Sequence, residues 1–149
     1  ARVRVMDGVD TQKNDYKDLL IIARALAQRG EDATLLANIH YKDKRYKEVY
    51  GALIGTKYEK KCPDLLVGTK FYEYESFVRP WSKSKIGNMM KDGLKQSSNI
   101  IIDNNGGATD RFIRRSIINR QKTGIAIDEV WIFEKGKLRP FLLNGKFVK

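Results

Sequence analysis

The sequence predicts an α/β (α+β) domain: a central mixed β-sheet flanked by helices, with an α-β-β-β-α-β core, an extra helix and a C-terminal hairpin. Three observations carry this. Apolar residues recur at helical spacing in three stretches. Short runs rich in β-branched and aromatic residues stand between them, bounded by Gly, Pro and Asn. With 149 residues, 42% of them hydrophobic, the chain is long enough to bury a core of its own. One domain spanning 1–149 is therefore expected, with no repeat or linker dividing it.

Residues 1–13 read as an irregular lead-in. Asn14 suits the cap of a helix from Asp15 to Arg29, stopped by Gly30, with Leu19, Leu20, Ile22, Ala23, Leu26 and Ala27 toward the core. Ala33–His40 follows as a strand. The polar stretch Tyr41 to Lys61, rich in Lys and Tyr, is the least legible and fits a short helix, or a strand, plus loop. Cys62–Val67 and Lys70–Phe77 form a hairpin about Gly68-Thr69, because a leading Gly suits a two-residue type II′ turn. Arg79-Pro80-Trp81 breaks the second strand. A helix then starts at Ser82 or Ser84 and runs to Ser97, its stripe being Ile86, Met89, Met90 and Leu94. Asn99–Asp103 is a short buried strand, and Asn104-Asn105-Gly106-Gly107 a flexible loop. Thr109 or Asp110 caps a helix to Lys122, which Gly124 ends. Ile127–Glu134 and Lys137–Leu143 flank a Lys135-Gly136 turn, and Asn144-Gly145 offers one more.

Charge narrows the function. Lys and Arg number 29 against 18 Asp and Glu, a formal charge of +11. Residues 1–78 hold 14 basic and 12 acidic side chains, a balance of +2, while residues 79–149 hold 15 and 6, a balance of +9. Such a one-sided excess fits a polyanionic partner, since each phosphate neutralised by Lys or Arg releases counterions. A generically basic surface is the blander alternative. One Cys (Cys62) and one His (His40) exclude an internal disulfide, a zinc finger and a Cys–His nucleophilic pair. No apolar run is long enough for a bilayer span, and no signal peptide is present. The opening Ala1-Arg2-Val3 has no initiator Met, which leads us to expect a domain excised from a longer protein.

The chemistry concentrates on the hairpin. With Gly68-Thr69 as the loop, Asp64 falls opposite Glu73, and alternation adds Glu75 to the same face. Opposed like charges cost roughly 0.2–1 kcal/mol per cross-strand pair, so three carboxylates there call for a cation, a proton or full solvation. A hard divalent ion, Mg²⁺ or Mn²⁺ with Zn²⁺ less favoured, takes one or two carboxylates plus water and substrate phosphate. It would acidify a bound water and polarise a phosphoryl oxygen. The competing reading is a solvated edge hairpin pairing with lysines, and a one-residue slip would move both glutamates to the opposite face.

The order helix, strand, Pro63-Asp64, Glu73-Tyr74-Glu75, helix, strand resembles the PD-(D/E)xK nuclease superfamily. Within it, the stretch from Pro63 to Asp103 resembles C-terminal nuclease toxin domains of contact-dependent growth inhibition and related polymorphic toxin systems. The resemblance spans about Asp15 to Asp103. It implies a metal-dependent nuclease, with RNA (tRNA included) favoured over DNA, in which Asp64 and Glu73 are metal-binding carboxylates. Glu75 stands where that family carries lysine, as metal ligand or water activator, and Lys70, Lys91 or Lys95 is left to supply positive charge. It further implies a secreted effector acting in the cytoplasm of a target cell and an acidic immunity protein over the basic cleft.

Lys91, Lys95 and Gln96 on one helix, and Arg111, Arg114 and Arg115 (with Lys122) on the next, are the candidate nucleic-acid-binding residues, an electrostatic track that positions a backbone without reading sequence. Solvated polar faces are the alternative for each. Asp103 reads equally as catalytic helper or turn residue, and the tyrosines of 41–58 as base-stacking platforms or sheet cover. His40 has the titration range of a general base, but an incidental strand-end histidine is commoner. Two other functions stay open: a metal-independent ribonuclease of the barnase/colicin-like group, and a non-catalytic nucleic-acid-binding module.

Overall fold

A computed structural model describes residues 1–77 and 80–149. The chain divides into two units, Ala1–Phe71 and Tyr72–Lys149. Each joins helices to a mixed sheet, so the class is α+β, as the sequence predicts. The division falls inside a strand, where no Gly- or Pro-rich linker marks it in the sequence.

In the first unit, Leu19, Ile22, Ala23, Leu26 and Ala27 are the buried stripe of helix α1 (Tyr16–Ala27). Its N-cap is Asp15, with no side-chain capping bond, rather than Asn14. The expected irregular lead-in contains a strand, β1 (Val3–Val5), pairing parallel with β2 (Ala33–Leu35). Its Arg2-Val3-Arg4-Val5 alternation is too short to mark a strand by itself, and the pairing with β2 decides it.

β2 stops at Leu35, short of His40. Beyond it the backbone of Ile39 bonds a side chain instead: the Cys62 thiol donates to the Ile39 carbonyl at 3.2 Å, and the Ile39 N–H points to Sγ at 3.5 Å. The Tyr- and Lys-rich stretch becomes helix α2 (Lys44–Tyr50) and one 3₁₀ turn, Gly51–Leu53. Tyr46 and Tyr50 stack at 5.0 Å between centroids and pack with Ile39, Leu53 and Phe71. Their hydroxyls donate to the carbonyls of Lys61 (2.8 Å) and Ala37 (2.6 Å), which satisfies the polar end of each buried ring. Burial pushes the Tyr50 phenol far above its ordinary range. β3 (Leu65–Val67) runs antiparallel to β2 and is shorter than the expected Cys62–Val67.

β4 (Lys70–Glu75) begins in the first unit and continues into the second. Gly68, at φ +60°, occupies the Gly68-Thr69 turn, and Thr69 keeps negative φ, as a leading-Gly II′ turn requires. The strand ends at Glu75, before Phe77; of the expected breaker Arg79-Pro80-Trp81, Arg79 lies outside the described residues.

In the second unit, helix α3 (Lys83–Gln96) is capped by Ser82, whose hydroxyl accepts from Lys85 N–H. It leads to β5 (Asn99–Asp103), buried at all five positions. Helix α4 (Asp110–Lys122) follows, capped by Thr109 accepting from Phe112 N–H, then β6 (Glu129–Glu134), β7 (Lys137–Leu143) and β8 (Lys146–Phe147). β4, β5 and β6 pair parallel, and β6, β7 and β8 antiparallel. The last two turns, Lys135-Gly136 and Asn144-Gly145, hold both residues at positive φ, the type I′ geometry that matches strand twist. The core gathers Ile86, Met89, Met90 and Leu94 of α3 and Ile113 and Ile117 of α4 over Ile100, Ile102, Val130 and Ile132.

The loop read as flexible is tied down by a buried side chain. Asn104 accepts from Ala108 N–H (2.9 Å) and donates to the Ala108 carbonyl (2.9 Å) and Glu134 (3.0 Å). Glu134 also receives the Arg139 guanidinium, which reaches Asp110 on α4 at 2.7 Å. Both carboxylates hold the Arg139 guanidinium above its ordinary range, Asp110 contributing most.

Two predictions follow from local bonding. Asn104→Ala strands the buried Ala108 N–H and should lower stability by about 1–3 kcal/mol in urea unfolding. On α2, the side chain and backbone N–H of Arg45 hold the Asp43 carboxyl below its ordinary 3.8. A lowered folded value means that the cap contributes fully above the unfolded pKa and is lost as pH falls through the folded one. Amide shifts of Lys44–Tyr50 followed down a pH series should therefore show an acid transition centred below 3.8, absent in Asp43→Asn.

Candidate functional site

β4 places its acidic residues by alternation and by parallel pairing. Glu73 lies opposite Ile100 and Glu75 opposite Ile102, so both glutamates share the sheet face on which those isoleucines meet α3 and α4. Both are half-buried. A Cβ built on Gly93 of α3 would come within 2.9 Å of Glu75 Cγ and 3.4 Å of Ile100, so Gly93 is the space that lets the Glu75 side chain lie against the helix. Carboxylates at the margin of an apolar core are costly unless their charge is compensated.

The opposite face of the same strands carries a buried polar set that the sequence reading did not single out. Tyr72 (2.7 Å) and the Trp131 indole (2.8 Å) both donate to Glu129 Oε1. Tyr74 donates to Asp103, which is buried at the end of β5 rather than in a turn. Only the identity of the alternate positions 72 and 74, polar aromatics inside a β-run, could have signalled it.

Asp64 belongs to the first unit, just before β3, where its carbonyl accepts from Leu36 N–H at 2.8 Å. It lines a cleft of about 170 Å³ with Asp10, Lys13, Asp15, Tyr16 and Asn38. Asp15 lies 3.9 Å from the Lys13 ammonium, while its other oxygen, Oδ1, is sealed from solvent with no hydrogen-bond partner among the described residues. Asp15 reads from sequence as a helix start, which hides it as a cleft residue. Among the described residues no group of three or more His, Cys, Asp or Glu is arranged around one metal position. Glu73 and Glu75, two apart on one face, are the carboxylates of this face that would be available to a hydrated divalent ion, which takes one or two.

The basic candidates separate. Lys91 and Lys95 are exposed one turn apart on α3, and Gln96 is half-buried at its end. On α4, Arg111 is exposed, Arg114 lies over the Phe147 ring at 4.2 Å, and Arg115 lines a groove with residues of α3. The α4 arginines thus meet different neighbours. The tyrosines divide too: Tyr46 and Tyr50 are core, while exposed Tyr41 stacks on His40 at 4.6 Å with the Lys60 ammonium 4.8 Å from its centroid. No helix among the described residues is long and apolar enough to cross a membrane.

No protein-family model, curated protein or solved structure matches the chain.

Gly93→Ala gains helix propensity yet drives a methyl into Glu75 and Ile100. It should lower thermal stability and displace the Glu75 carboxylate, the latter read as a changed side-chain carbonyl resonance of Glu75 in a ¹³C spectrum; an unshifted resonance would contradict this contact.

Proposed function

We propose that the chain is a metal-dependent nuclease that hydrolyses the phosphodiester backbone of RNA, with DNA the second substrate. The observation that carries this reading is the pair Glu73 and Glu75, in register on one face of β4 and half-buried beneath α3. The order α1, β2, β3, β4, α3, β5, with β4 and β5 parallel, supports the likeness to the PD-(D/E)xK superfamily. The cationic residues of α3 and α4 supply the field that draws a polyanion.

Glu73 and Glu75 would hold the ion. Bound there, Mg²⁺ or Mn²⁺ supplies an acidified water and charge neutralisation at the phosphoryl group. The chain's own part is to fix two acceptor side chains on a paired strand, so that little reorganisation is left for the moment of reaction. Glu75 in place of a lysine adds a second negative charge beside Glu73 and shifts the burden of cationic stabilisation to lysines such as Lys91 and Lys95. An effector that is delivered to another cell and neutralised by an acidic immunity protein is the setting this activity would fit.

The test is cleavage of mixed tRNA and of plasmid DNA with Mg²⁺, Mn²⁺ or Zn²⁺ and with EDTA. Glu73→Gln and Glu75→Gln should each reduce metal-dependent cutting by about 100-fold or more, the scale of lost acid–base and electrostatic catalysis, while binding is retained. Full activity in EDTA would select a metal-independent ribonuclease. Salt-sensitive binding without cutting under any condition would leave a binding module.

A further inference from the structure

We infer that the groove between α3 and α4 is a binding site for a phosphate group, separate from the β4 carboxylates. It encloses about 460 Å³, within the size of pockets that take small ligands. Phe112, Arg115, Ser116, Asn119, Arg120 and Thr123 recur at three- and four-residue spacing and form its α4 wall; Lys83 and Gly87, one turn apart, form its α3 wall.

Among the described residues three cations line this groove and no carboxylate does. Some arginines elsewhere are held by carboxylates: Arg45 by Asp43, Arg139 by Asp110 and Glu134, and Arg4 by Asp32. Among the described residues no ion pair reaches Lys83, Arg115 or Arg120. Arg120 is positioned without losing its charge, because it donates to the Gly87 carbonyl at 3.1 Å rather than to an acid. Its remaining N–H groups and the Arg115 fork suit the oxygens of a phosphate, and Lys83 adds a point charge.

Neutral donors complete the wall. Ser116 and Asn119 can each donate to an oxygen; the Thr123 hydroxyl is committed to the Arg120 carbonyl at 2.7 Å and serves as a boundary. The Phe112 ring, braced at 5.2 Å against Trp81, offers an apolar side for a sugar or base next to the phosphate. The shared chemistry is a phosphate mono- or diester, which a free nucleotide or a polynucleotide backbone would each supply. Binding here needs no catalysis at Glu73 or Glu75, so it stands or falls apart from the nuclease reading.

The experiment is an amide-shift titration of the full chain with inorganic phosphate, adenosine monophosphate, a hexameric RNA and, as a phosphate-free control, adenosine. Phosphate-bearing probes should shift Gly87, Ser116, Asn119 and Arg120 together, and adenosine should not. Lys83→Gln combined with Arg115→Gln should weaken binding at least about tenfold with an unchanged circular-dichroism spectrum, since each removes a phosphate contact. Lys137→Gln, an equal type of charge loss outside the groove, should change it less than about twofold. Glu73→Gln should leave it intact. Comparable affinity for the monophosphate and the hexamer would assign the site to small phosphorylated ligands, and affinity for the hexamer alone to a polynucleotide backbone. Shifts spread over the basic surface without this cluster, or an equal loss in Lys137→Gln, would overturn the site.

Discussion

Strand β5 sets the terms for the second unit. Asn99–Asp103 is buried at every position and pairs parallel on both sides, with β4 and with β6. Parallel neighbours cannot be joined by tight turns, so each pairing needs a crossover, and α3 and α4 are those crossovers. The apolar stripes of the two helices cover Ile100 and Ile102, which makes the helices and the central strand one cooperative core. Fully burying such side chains contributes about 1.5–3 kcal/mol each.

The same constraint distributes the polar chemistry of the unit. Because β4 is in register with β5, Glu73 and Glu75 stand beside the isoleucines on the helix-covered face, while Tyr72 and Tyr74 fall on the other. There Glu129 and Asp103 are retained in the interior by phenol and indole donors, the condition under which a buried acid is tolerated. The crossovers leave a groove along their outer seam, where Lys83, Arg115 and Arg120 have no acidic partner among the described residues. The acidic pair and the cationic groove are thus consequences of one strand order, placed on different surfaces of the helices that the order demands.

In the first unit the organising feature is aromatic. Tyr46, Tyr50 and Phe71 build a small core, each tyrosine sending its hydroxyl to a backbone carbonyl of a segment that lacks strand pairing. Composition alone leaves this stretch ambiguous, since tyrosine between lysines serves equally for stacking on a base or covering a sheet. Tyr41 and Tyr50 show why: the same residue type is 42% exposed at one position and fully buried at the other, and only long-range packing separates them.

The sequence by itself determined the elements with strong local signals. The stripes of α1, α3 and α4, their caps to within a residue or two (Ser82 or Ser84, Thr109 or Asp110), the two-residue turns and the apolar run of β5 are all written within a few residues, where periodicity and dihedral preference act. It also placed Glu73 and Glu75 on one face, because alternation along a strand is local. What only the tertiary structure decided depends on partners far along the chain. The pairing of β1 with β2 joins segments about 30 residues apart, from Val3 to Ala33. The anchoring of the Asn104 loop on Glu134, the interior roles of Glu129 and Asp103, and the Phe147 ring beneath Arg114 likewise depend on which neighbours the fold brings. A side chain's type states what it can bond; its neighbours in space decide what it does bond.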